Sequence, residues 1–207
     1  MAAEIDPATE HLRVIRQLME RATVYRSITA PVALAGGLVA LGLAWWQHEN
    51  GMVWEVFLMS WLSLLAVLAL LNLGLLWRDA ASRGLPLMNS GMRLALRALT
   101  PPMLVGGIVG TVIGFTSRDM GFVACIWALC YGLALLATAT FAPPSIRRLG
   151  RAFVAGGLIA FVGNQAGFFS NGDINLFTTA FIMGGLFGLL HILYGAAVLW
   201  SARRRPR

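Results

Sequence analysis

The sequence predicts an all-α protein: a polytopic transmembrane helical bundle of about six spans, preceded by an amphipathic helix. Three observations predict it. The 207-residue chain is 58% hydrophobic and only 12% charged, outside the range of soluble domains of that length. Its apolar residues gather in long runs of about 18 residues or more, enough to cross roughly 30 Å of hydrocarbon as helix. Its basic residues are all arginines, sixteen with no lysine, and they fall almost wholly in alternate connections between those runs. The runs lack the polar alternation of barrel strands, so each reads as helix.

Residues 1–26 come first and are polar. Asp6 is placed to cap a helix with Pro7 at its first position. On a 100° wheel Leu12, Val14, Ile15, Leu18, Met19, Ala22 and Tyr25 fill one half, and Glu10, Arg13, Arg16, Gln17, Glu20 and Arg21 fill the other. Glu4, Asp6, Glu10 and Glu20 offset the arginines up to Arg26, so this is not a polybasic helix that seeks anionic lipid. Lying on the membrane, packing under the bundle and docking a cytoplasmic partner all remain open to it. The acidic start is unlike a signal peptide, and the first span is expected to stay uncleaved.

The spans then follow at 28–46, 52–77, 98–116, 121–142, 152–169 and 176–200, which makes residues 27–200 the bundle and 201–207 a basic tail. Pro31, Pro101 and Pro102 fall near span beginnings and read as helix starts, where a missing N–H costs nothing. Trp45, Trp46, Trp54, Trp77 and Trp200 lie near span ends and read as an interfacial belt. The connections around 47–51, 117–120 and 170–175 are too short to form a binding domain.

Orientation follows from the arginines. Arg13, Arg16, Arg21, Arg26, Arg78, Arg83, Arg93, Arg97, Arg147, Arg148, Arg151, Arg203, Arg204, Arg205 and Arg207 share one side, and Arg118 alone takes the other. The positive-inside rule then puts both termini in the cytoplasm of a bacterial inner membrane. The net charge of +7 is thereby a matter of topology, and no nucleic-acid partner is expected. Cys125 and Cys130, about 140° apart on one helix, cannot pair with each other and read as small packing residues.

The odd-numbered spans share a pattern: Gly36-Gly37-Leu38-Val39-Ala40, Gly106-Gly107-Ile108-Val109-Gly110 and Gly156-Gly157-Leu158-Ile159-Ala160. Each precedes a short loop and a returning span, as three repeated helical hairpins would. The pairs Gly36/Ala40, Gly106/Gly110 and Gly156/Ala160, with Gly184 and Gly188 in the last span, form small-residue stripes where helix backbones can approach.

His191 is the one ionisable residue near the middle of a span, and so the leading binding or relay candidate. On the α-helical wheel it shares the stripe of Gly184, Gly188 and Gly195. Counted at 1.5 Å per residue, it lies about 14 Å deep, within reach of Asn164 at about 18 Å, with Gln165 beside it. Its readings are a neutral, hydrogen-bonded packing residue, a proton-relay or ligand contact and, last, a metal or haem ligand, which His11 and His48, on opposite sides of the membrane, could not join. Glu55, near the outer end of the second span, reads as reaching the interface or, with His48 or Asp173, lining an outer vestibule. No catalytic set, glycine-rich phosphate loop or metal cluster appears, so no enzyme, cofactor or metal is expected.

Ile15-Arg16-Gln17-Leu18-Met19-Glu20-Arg21-Ala22-Thr23, running into Ala35-Gly36-Gly37-Leu38-Val39-Ala40-Leu41, resembles the start of a group of uncharacterised bacterial polytopic membrane proteins with no assigned activity. Phe187-Gly188-Leu189-Leu190-His191-Ile192-Leu193-Tyr194-Gly195 is similar to their ending. The resemblance implies a bacterial integral membrane protein and supplies no functional residues. The expected function is a non-enzymatic membrane component that binds or regulates a cytoplasmic protein or a second copy of itself. The alternative is a small-solute permease or channel with a pathway near His191. A polar cavity reaching His191 would favour transport, and a dry, glycine-packed interior would favour binding.

Overall fold

The computed structural model describes residues 30–204 apart from 52, 85, 87, 89, 140, 141 and 167–178. The expected amphipathic helix over 1–26, the loop at 170–175 with Asp173, and residues 205–207 of the basic tail lie outside the described residues. Among the described residues six helices follow in order: α1 Ala30–Asn50, α2 Trp54–Ser82, α3 Ser90–Ser117, α4 Met120–Ala137, α5 Pro144–Gln165 and α6 Thr179–Arg203. No strand occurs among them. Five of the helices, all but α5, are long and apolar enough to cross a membrane. The apolar part of α5 is shortened by Arg147, Arg148 and Arg151, which occupy its first two turns.

Neighbouring helices run antiparallel. A Cβ placed on Gly37 would lie 2.7 Å from Gly188 O, and one on Gly195 would lie 2.9 Å from Ala30 O. Thus α1 begins at the end of the bundle where α6 finishes. The α4–α5 pair is the most extensive, and α5 follows α4 from Gly150 beside Leu136, past Gly157 beside Leu129, to Asn164 near Gly121. Of the described arginines, Arg78, Arg83, Arg93, Arg97, Arg147, Arg148, Arg151, Arg203 and Arg204 come at one end of this up-and-down bundle, and Arg118 at the other.

The hairpin pattern has a structural counterpart. The first glycine of each Gly-Gly pair meets the returning helix of its own hairpin: Gly36 faces Leu68 of α2, Gly106 faces Cys130 of α4, and Gly156 faces Leu186 of α6. Small residues let these backbones close on each other without lipid between them. The second glycines differ. Gly37 meets α6, Gly157 meets α4, and a Cβ on Gly107 would meet nothing within 4 Å.

Helix ends depart from the expected spans because helical hydrogen bonding continues past the hydrocarbon boundary. Helix α3 begins at Ser90, so Pro101 and Pro102 stand inside it rather than at its start. Thr100 Oγ1 donates to Leu96 O at 2.7 Å on the turn before them. Helix α1 runs on to Asn50, which moves Gln47 from an expected loop into the core at 1% exposure. Trp61 Nε1 donates to Gln47 Oε1 at 2.8 Å and Gln47 Nε2 to Ser60 Oγ at 2.7 Å, pinning α1 to α2. Asp119 caps α4 by accepting from Phe122 N at 2.9 Å.

Four of the five belt tryptophans are exposed as expected; Trp54 is not. It is buried against Phe57 and Phe115, its ring filling the space that the absent side chain of Gly114 leaves. With Phe57, Trp61, Val123, Cys125, Ile182 and Met183 it builds a core in the half of the bundle remote from most of the arginines. Phe57 and Trp127 stack there, with centroids 5.5 Å apart and planes 11° from parallel.

Candidate functional site

The middle of α6 is not α-helical. Met183–Leu189, Met-Gly-Gly-Leu-Phe-Gly-Leu, forms a π-helical stretch, and Leu190 N bonds back to Gly185 O. Glycines at 184, 185 and 188 leave room for the wider turn, and such stretches recur at functional sites. A π-turn takes up more residues than an α-turn, so the 100° wheel loses phase across it. Gly184, Gly188 and, beyond the π-helical stretch, Gly195 all face α1, at Ala44, Leu41 and Leu34, whereas His191 alone of the stripe turns to α4 and α5. The expected common stripe is therefore divided between two sets of neighbours.

His191 is fully engaged. Its Nδ1 lies 2.9 Å from Phe187 O, and its Nε2 lies 2.9 Å from Tyr131 Oη on α4. A carbonyl only accepts, so Nδ1 carries the proton; a neutral imidazole so placed accepts at Nε2, and the Tyr131 hydroxyl donates. Phe153, fully buried, packs edge-on against both rings, 4.8 Å from Tyr131 and 5.4 Å from His191. Phe187 closes the group at 5.0 Å from Phe153.

A cavity of about 510 Å³ reaches this pair from the side. All six helices contribute to its wall; α2 and α3, which meet at Trp54 with Gly114 and Phe115, supply Leu65, Leu68 and Asn72 and Met103, Gly106 and Gly107. Tyr131, His191 and Tyr194 line its inner wall, and Trp61 and Trp127 bound it toward the aromatic core. Leucine, methionine, alanine and glycine supply most of the surface. Asn72 Nδ2 donates to Leu68 O at 2.9 Å.

The other expected site residues do not converge here. Asn164 stands by Gly121 at the remote end of α4, where a Cβ would lie 3.4 Å from its Oδ1; α5 starts earlier than expected and carries it past His191. Gln165, the last residue of α5, is exposed. Glu55 is exposed and pairs at 3.7 Å with Arg118, the one described arginine at its end of the bundle. Tyr131, the actual partner of His191, is absent from the sequence-derived candidates, although counting from the expected end of its span at 142 puts it about 16 Å deep, level with His191. Ala40 lies in the core, Gly110 beneath Trp127, and Ala160 against the core beside Phe161.

Comparison with protein-family models, with curated proteins and with solved structures finds no match to this chain.

Proposed function

We propose that this protein is a non-enzymatic, multi-pass component of a bacterial inner membrane that acts by binding. Six crossings are counted because α5 runs the length of α4, a helix apolar enough to span. The arginine-bearing end then lies in the cytoplasm, with both the start of α1 and the end of α6. A cytoplasmic protein or a second copy of the chain is the partner through which binding would be read out.

One observation carries the reading: the cavity that reaches His191 is walled mostly by apolar residues and is bounded by stacked rings. A route for ions or polar solutes needs hydrogen-bonding groups along its length, because lipid-depth surfaces leave them no water. Here Trp61, Phe57 and Trp127 close the remote side, and the imidazole already has both nitrogens bonded. The permease alternative would need those rings to part.

Vesicles containing the purified protein and a trapped pH dye test this. Proton and small-solute flux should equal that of protein-free vesicles. Flux above that level that falls in His191→Ala would overturn the binding reading in favour of transport.

A further inference from the structure

We propose that the lateral cavity seats one membrane amphiphile with a single apolar chain and a hydroxyl head, the head donating its proton to Tyr131 Oη. This deepens the binding reading above and rests on it.

Size and wall chemistry choose the chain. A dry apolar cavity of about 150 Å³ accepts one benzene, so by proportion 510 Å³ has room for roughly 16 to 20 carbon atoms. Leu65 in the wall and Leu104 next to the wall residue Met103 are about half exposed on two helices apolar enough to span, so this side of the cavity borders hydrocarbon in a membrane. Among the described residues no arginine lines the wall, and a phosphate or sulfate head would find no counter-charge.

Hydrogen bonding chooses the head. His191 Nδ1 is committed to Phe187 O, and the Tyr131 proton is committed to His191 Nε2. What remains at this point of the wall is the Tyr131 oxygen, which can still accept. A ligand O–H completes a chain running from head to Tyr131 to His191 to the Phe187 carbonyl. A carbonyl or ether head seated at Tyr131 would have to take its proton and leave Nε2 bare in an apolar surrounding, which is costly.

The probe is 1-hexadecanol bearing a diazirine in its chain, photolysed in vesicles that contain the protein, with the label mapped by peptide mass. Labelling is expected on the inner wall, at Tyr131, Phe187, His191 and Tyr194. Unlabelled 1-hexadecanol should compete roughly three- to tenfold better than hexadecyl methyl ether, the range one uncharged hydrogen bond confers. Tyr131→Phe should erase that preference. Gly107→Phe, which adds a ring where a Cβ meets nothing within 4 Å, should abolish labelling at unchanged melting temperature. Label confined to lipid-facing residues, or equal competition by alcohol and ether in the unsubstituted protein, would overturn the proposal. The competition needs no variant, so it holds even where a substitution unfolds the bundle. Flux across vesicles answers for the binding reading separately.

Discussion

Tyr131 and His191 are joined by a 2.9 Å hydrogen bond between α4 and α6, sixty residues apart in sequence. The bond closes a small aromatic group around Phe153 and gives a half-buried imidazole its second partner.

Because one bond serves both residues, their substitutions should not add. His191→Ala and Tyr131→Phe should each lower the unfolding free energy in detergent by about 1 kcal/mol, in the range of interhelical hydrogen bonds. The double variant should cost well under the sum. Additive losses would mean that the two side chains act independently.

Two glycines of similar sequence context should behave oppositely. A methyl group on Gly37 would meet the Gly188 carbonyl at 2.7 Å, backbone that cannot turn aside, so Gly37→Ala should destabilise by about 1–3 kcal/mol. Gly107→Ala meets nothing and should stabilise by about 0.5–1 kcal/mol through helix propensity. Thermal unfolding of the two variants side by side checks the sign.

Gln47 is the polar centre of the α1–α2 contact. Gln47→Leu leaves the Trp61 indole N–H without its acceptor and should cost about 1–3 kcal/mol. Glu55→Gln, by contrast, removes an ion pair whose side chains are 59% and 69% exposed, and should change stability by less than about 0.5 kcal/mol. Chemical unfolding that ranks these two the other way round would contradict the placement of both residues.

The proposed orientation can be read with a membrane-impermeant maleimide. Ser117→Cys, exposed at the end remote from most arginines, should label in intact cells; Ser82→Cys should label only after permeabilisation. Cys125 is buried and Cys130 packs against Gly106, so the native thiols should stay silent. The opposite pattern would invert the topology.

The bundle is legible in the sequence because crossing a bilayer demands long apolar runs, and these are visible without knowing any contact. Helix ends are not, since hydropathy reports the slab and not the hydrogen bonds: the stretch from Ser90 to Arg97 is helix although it carries two arginines and leads into two prolines. Trp54 and Gln47 read as interfacial because tryptophan and glutamine near a span end fit water as well as core. What buries them is the bare surface of Gly114 and the indole of Trp61, facts of packing. His191 stands out as a lone ionisable group, but Tyr131 counts as apolar in a hydropathy reading and does not. The π-helical stretch has no signature beyond its glycines.

The stacked rings of Phe57 and Trp127 close the cavity toward the aromatic core, leaving no passage through that half of the bundle. A molecule seated in it is held on one side of those rings. Occupancy would then follow the abundance of that molecule within its leaflet, and neither a gradient nor a voltage across the bilayer would have any leverage on it.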